Sequence, residues 1–103
     1  MAIAKRQYRS RIQIAADILE IAKNGSRKTR IMYLGNLSFD LLQKYLDMLV
    51  NYELLEINGR SDKSYIATPK GKQFLEDYRE LQKYSHLVDS KKRALEASMA
   101  LNA

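Results

Sequence analysis

Cysteine and tryptophan are missing from the 103 residues, and histidine and proline occur once each, as His86 and Pro69. Without a thiol there can be no disulfide, no thiolate nucleophile and no cysteine-ligated zinc or iron–sulfur centre. One histidine cannot build a multi-histidine metal site within one chain, and His86 reads as a surface or interface side chain rather than a catalytic base. Glu76 and Asp77 are sequence neighbours, so on a helix they diverge instead of converging on a substrate. No stretch approaches the roughly 20 consecutive apolar residues of a membrane span. Met1 to Arg11 also lacks the apolar run of a secretory signal. These absences lead us to expect a non-enzymatic protein with a cytoplasmic address, no cofactor, no metal, no membrane partner and no small-molecule ligand.

Hydrophobic residues make up 46% of the chain and charged residues 29%, the balance of a chain that folds around a core. Its length allows one core and an appendage, not two ordinary domains. The net charge of +6 is unevenly placed: residues 1–72 hold 13 Lys/Arg against 7 Asp/Glu, a surplus of 6, and residues 73–103 hold 5 against 5. A basic head with a neutral tail suggests a polyanion partner for the head and another task for the tail. Charge alone is equally compatible with an anionic membrane surface or with solubility.

Apolar residues Ile14, Ile18, Ile21 and Ala22, widened by Ala15 and Leu19, predict a helix from Ser10 to Lys23, stopped by Asn24-Gly25. Ser26 then caps a short basic helix, Arg27 to Tyr33. Gly35-Asn36 is a turn, and Ser38 caps a third helix to about Tyr52 with Leu42, Leu46, Leu49 and Val50 on its apolar face. Two helices joined by a tight turn form a helix-turn-helix. The runs 54–57 and 64–67 alternate like strands around the polar segment 58–63, giving a hairpin, or wing. Ile14, Ile18, Ile21, Leu42, Leu46, Leu49, Ile57 and Ile66 are the expected core. Tyr33, Tyr45, Tyr52 and Tyr65 fall at or near core positions too.

Thr68-Pro69 marks the start of a last helix, with threonine at the N-cap and proline at the first helical position. From there Phe74, Tyr78, Leu81, Ser85, Val88, Lys92, Leu95 and Met99 repeat at alternating four- and three-residue spacing, a heptad seam with two polar interruptions. Such a helix overhangs a head of about 65 residues, which is only about 30 Å across. Its seam, from Tyr78 through Leu81, Ser85, Val88, Lys92 and Leu95 to Met99, is expected to pair with a second copy of the chain. The expected fold is mainly α with a small β-hairpin: a basic arm at 1–10, a winged helix-turn-helix at 11–68 and a dimerisation helix at 69–103.

Lys28-Thr29-Arg30-Ile31-Met32-Tyr33, Asn36-Leu37-Ser38 and Thr68-Pro69-Lys70-Gly71 occur in an order that resembles the small winged-helix chromatin proteins of Sulfolobus, the ten-a type. The resemblance covers about residues 10 to 90. It implies a winged-helix head, an antiparallel coiled-coil homodimer through the last helix, and double-stranded DNA as partner. The arm Lys5-Arg6-Gln7-Tyr8-Arg9-Ser10-Arg11 is not part of it, and Ser85 and Lys92 interrupt the seam.

In a helix-turn-helix the second helix presents its N-terminal and outward side chains to the major groove. Here these are Ser38, Asp40, Gln43, Lys44 and Asp47. Gln43 suits adenine and Lys44 suits guanine or phosphate, whereas the aspartates repel the backbone and read as a solvated face. Arg27, Lys28 and Arg30 open the preceding helix, where free N–H groups also favour phosphate. Arg60 and Lys63 at the wing tip suit a minor groove or backbone, although a hairpin tip is polar in any case. Arg9 and Arg11, with Lys5 and Arg6, form either a minor-groove arm or a solubilising tail. The resulting expectation is a dimeric, nucleoid-associated DNA-binding protein of architectural type with modest sequence preference. A sequence-specific regulator of the same fold and a protein-interaction module are the alternatives.

Overall fold

A computed structural model describes residues 9–100. Ser10 opens α1 (Arg11–Ile21), its hydroxyl accepting from the backbone N–H of Gln13 at 3.1 Å. Ile14, Ala15, Ile18 and Leu19 point inward along this helix, as their spacing requires. The helix ends earlier than Lys23, and Gly25, at φ 99°, supplies the left-handed residue that turns the chain.

Ser26 does not cap α2 (Lys28–Gly35). It is buried, and its backbone exchanges hydrogen bonds of 2.9 and 2.7 Å with Tyr65 as an isolated β-bridge beside the hairpin. A residue held extended by two ladder bonds lies one position too early to cap, so Arg27 stands at the N-cap without a side-chain bond. Asn36, at φ 54°, terminates α2 in the left-handed region that asparagine tolerates. Ser38 does cap α3 (Phe39–Asn51), accepting from the Leu41 N–H at 3.2 Å. Leu37 before the cap and Leu42 in the second turn are both buried, a hydrophobic staple that fixes how the chain enters the helix.

β1 (Leu55–Asn58) pairs antiparallel with β2 (Ser64–Ala67), with Leu55 opposite Ala67 and Ile57 opposite Tyr65. The first strand starts one residue later than its sequence suggests, and Leu55 is the side chain that enters the core. Ile57 shares that face but stands further along the hairpin, and it is 43% exposed. Ile66, on the opposite face, is half-buried. Of the four tyrosines expected inside, Tyr45 and Tyr65 are buried while Tyr33 and Tyr52 are exposed. Ile31 and Gly35 are the buried positions of α2, and Tyr33, two residues from each, lies on the far side. Tyr52 is already the C-cap of α3.

Each residue of Thr68-Pro69-Lys70-Gly71 has its own part in joining α4 to the head. The Thr68 hydroxyl accepts from the Gly71 N–H at 3.0 Å and donates to the Glu53 carbonyl at 2.6 Å. Pro69 is the first residue of α4 (Pro69–Ala100), where no N–H is needed. Lys70 Nζ donates to the Tyr52 carbonyl at 2.9 Å, satisfying the C-terminal end of α3. Gly71 is buried against Leu54. The first turns of α4 therefore close the head: Leu75, unnoticed in the sequence, is buried, and Phe74 and Tyr78 pack partly against the same core. Arg79 adds an ion pair to Glu20 of α1 at 3.0 Å. From Leu81 to Ala100 every residue is exposed, and the described chain measures 66 × 33 × 19 Å. Most of α4 thus projects from the head with no cover from the other described residues.

Candidate nucleic-acid interface

The start of α2, the outward face of α3 and the wing are tied together by side chains. Lys28, the first residue of α2, donates to Gln43 Oε1 on α3, and its ammonium sits 4.0 Å from the centroid of the Phe39 ring. Gln43 in turn donates through Nε2 to Asp47 Oδ1 at 2.8 Å. Arg27 reaches the wing, donating to Asp62 at 2.5 Å, and both partners are about two-thirds exposed. Arg30 donates to Ser26 Oγ at 3.4 Å, a long contact that leaves the rest of its guanidinium at the surface. Lys44 on α3 and Arg60 and Lys63 on the wing are exposed.

These contacts bring Lys28, Phe39, Gln43 and Asp47 together and tie Arg27 to Asp62 of the wing. Both polar ends of Gln43 are already bonded within the chain. The Ser38 hydroxyl is engaged at the helix cap. Two aspartates have intramolecular roles, Asp47 holding Gln43 and Asp62 holding Arg27, while Asp40 is exposed. Asp47 also faces Tyr65, whose phenol is held above its ordinary range, first by burial and then by that carboxylate.

Arg9 departs from the picture of a free arm. Its guanidinium donates to Asp17 at 2.7 Å and to the carbonyls of Gly35 and Asn36 at 2.9 and 3.2 Å, at the C-terminal end of α2. Arg11 begins α1 and donates to the Met48 sulfur of α3 at 3.5 Å. Lys5 and Arg6 lie outside the described residues.

Phe39 was missed in the sequence. It stands three residues before Leu42 in the apolar phase of α3, yet it is 58% exposed. On α4, the expected seam residues Leu81, Ser85, Val88, Lys92, Leu95 and Met99 are exposed, whereas Tyr78 is half-buried against the head. Tyr84 and Leu87, also overlooked, widen the stripe and border an apolar depression with Val88 and Leu95. Among the described residues no cluster of three or more metal-ligating side chains occurs, and no helix is long and apolar enough to cross a membrane.

Residues 8–86 match the family described as winged helix-turn-helix. Two uncharacterised proteins of Methanocaldococcus jannaschii are 35% identical over 74 residues and 38% identical over 55 residues. These matches take in 71% and 52% of this chain but only 34% and 57% of the relatives, so the chain spans between a third and three-fifths of their length. Among solved structures, Sso10a-2, a DNA-binding protein from Sulfolobus solfataricus, aligns with a TM-score of 0.78 at 31% identity, over 85% of this chain and 94% of that one. A MarR family transcriptional regulator from Silicibacter pomeroyi aligns with a TM-score of 0.61 over 82% of this chain and 59% of its own, at 19% identity, a likeness of fold alone.

Proposed function

Because the chain belongs to the winged helix-turn-helix family, we propose that it binds double-stranded DNA as a homodimer, with modest sequence preference and an architectural, nucleoid-associated role. The observation that supports this reading is that Arg27 and Lys28 at the start of α2 are linked to the wing through Asp62 and to α3 through Gln43, elements that also carry the exposed Lys44, Arg60 and Lys63. The likeness to Sso10a-2, itself a DNA-binding protein, supports the same partner.

In this reading α3 enters the major groove, the basic start of α2 meets the phosphates, and the wing follows the adjacent backbone. The modest preference follows from Gln43, whose amide is bonded to Lys28 and Asp47 and must exchange those partners before it pairs with a base. Phosphate contacts then supply most of the affinity. Homodimerisation rests on the exposed stripe of Leu81, Tyr84, Leu87, Val88, Leu95 and Met99, which a second copy of α4 would cover.

A titration against random-sequence duplexes across salt tests the proposal. Each neutralised phosphate contributes a slope of about −0.9 in log K against log salt, so about six to ten contacts weaken binding a thousandfold or more between ~50 and ~200 mM. Joint charge reversal of Arg27, Lys28, Arg60 and Lys63 should lower affinity for all sequences alike. A flat salt response, or full affinity after charge reversal, overturns the reading.

A further inference from the structure

We infer that Phe39 is a base-reading residue that discriminates by contact with the 5-methyl group of thymine. The inference rests on the DNA-binding reading above and adds the chemistry by which one base is preferred.

Three features carry it. Phe39 is the first residue of α3, and the N-terminal residues of the second helix of this motif are those that meet base edges. Its ring is more than half exposed although Leu42, Leu46 and Leu49, in phase with it on the same helix, are fully buried. The side chain is also held in place, because the Lys28 ammonium lies against the ring face 4.0 Å from its centroid. The ring is thus presented at the surface by a neighbour that is itself cationic and suited to the adjacent phosphate.

The remaining groups on this part of α3 leave few other readers. Gln43 is bonded at both ends of its amide and Ser38 is occupied at the cap. Asp40 and Lys44 are charged, and Phe39 alone offers an apolar surface. In the major groove the one apolar feature among the four base pairs is the thymine methyl, against which phenylalanine packs. A cytosine carrying the same 5-methyl group presents the same feature.

The test uses the full chain and three forms of one mixed-sequence duplex: natural, with every thymine replaced by deoxyuridine, and with every cytosine replaced by 5-methylcytosine. Removing one methyl group from water corresponds to about fourfold in affinity per head. The parent protein should bind the thymine duplex about that much more tightly than the deoxyuridine duplex, and the 5-methylcytosine duplex more tightly than the natural one. Phe39→Ala should bring both ratios to one, and Phe39→Leu, still apolar, should retain them in part. The salt slope should stay as in the parent, because no phosphate contact is removed. Equal binding of all three duplexes by the parent overturns the inference while leaving DNA binding intact, as does a Phe39→Ala protein that keeps the parent ratios. No binding to any duplex overturns the DNA-binding reading and this inference with it.

Discussion

A methyl group placed on Gly71 would lie 2.2 Å from the carbonyl oxygen of Leu54. The contact is with backbone, and that oxygen also accepts from the Thr68 N–H at 3.1 Å, so neither side can yield without breaking the junction between α4 and the head. Gly71→Ala should therefore destabilise the protein by about 2–4 kcal/mol, even though alanine is intrinsically the better helix residue by about 1 kcal/mol. Urea denaturation would show it. Unchanged stability would mean that the close approach is not maintained in solution.

Arg9 bridges the start of α1 to the end of α2 through Asp17 and two carbonyls. Its side chain is mostly covered while Asp17 is more exposed, so the ion pair is partly screened and the carbonyl bonds matter more. Loss of about 1–2 kcal/mol is expected for Arg9→Ala. Arg9→Lys should recover only part of this, since an ammonium cannot fork between a carboxylate and two carbonyls as a guanidinium does. A lysine variant as stable as the parent would refute the bridging role.

Burial, and secondarily the Asp47 carboxylate, raise the pKa of Tyr65 in the folded chain above its unfolded value. The folded state then holds the phenolic proton more tightly. Its contribution is fully present below the unfolded pKa of about 10 and is lost as pH rises from there through the folded pKa. Thermal melts from pH ~8 to ~11 should show stability falling at the alkaline end, and Tyr65→Phe should fall less steeply. Equal slopes for both proteins would remove Tyr65 as the cause.

Val88, Leu95 and Met99 lie beyond the reach of the head, and each stands to gain about 1.5–3 kcal/mol per chain if a partner helix buries it fully. A chain ending at Leu81 keeps Leu75 and Tyr78, which close the core, and should stay folded. Sedimentation should find the full chain dimeric at micromolar concentration and the shortened one monomeric. The shortened chain should also bind DNA more weakly, because the second head is no longer tethered. A dimeric head, or a monomeric full chain, would place the contact elsewhere or remove it.

Local signals determined much of this protein. Ser10 and Ser38 cap helices because a hydroxyl satisfies a free N–H wherever the next residues turn helical, and Asn36 stops one because asparagine tolerates the left-handed region. The Thr68-Pro69 signal and the uninterrupted helical run after it were equally readable, as was the confinement of the charge surplus to the first 72 residues. These features depend on neighbours a few residues away, which the sequence displays directly.

Tertiary structure decided which apolar side chains are covered. Periodicity assigns Phe39 to the same stripe as Leu42 and Ile57 to the same face as Leu55, but the core ends before it reaches either residue. Ser26 had the chemistry of a cap but is held in an isolated β-bridge because Tyr65 came to lie beside it, and Arg9 found Asp17, Gly35 and Asn36 only once α1 and α2 had packed. A side chain's phase on its helix or strand follows from its own sequence. Whether anything stands opposite it depends on residues distant in the chain, and the pairing of those distant residues, not their local pattern, fixed both the edge of the core and the face proposed to meet DNA.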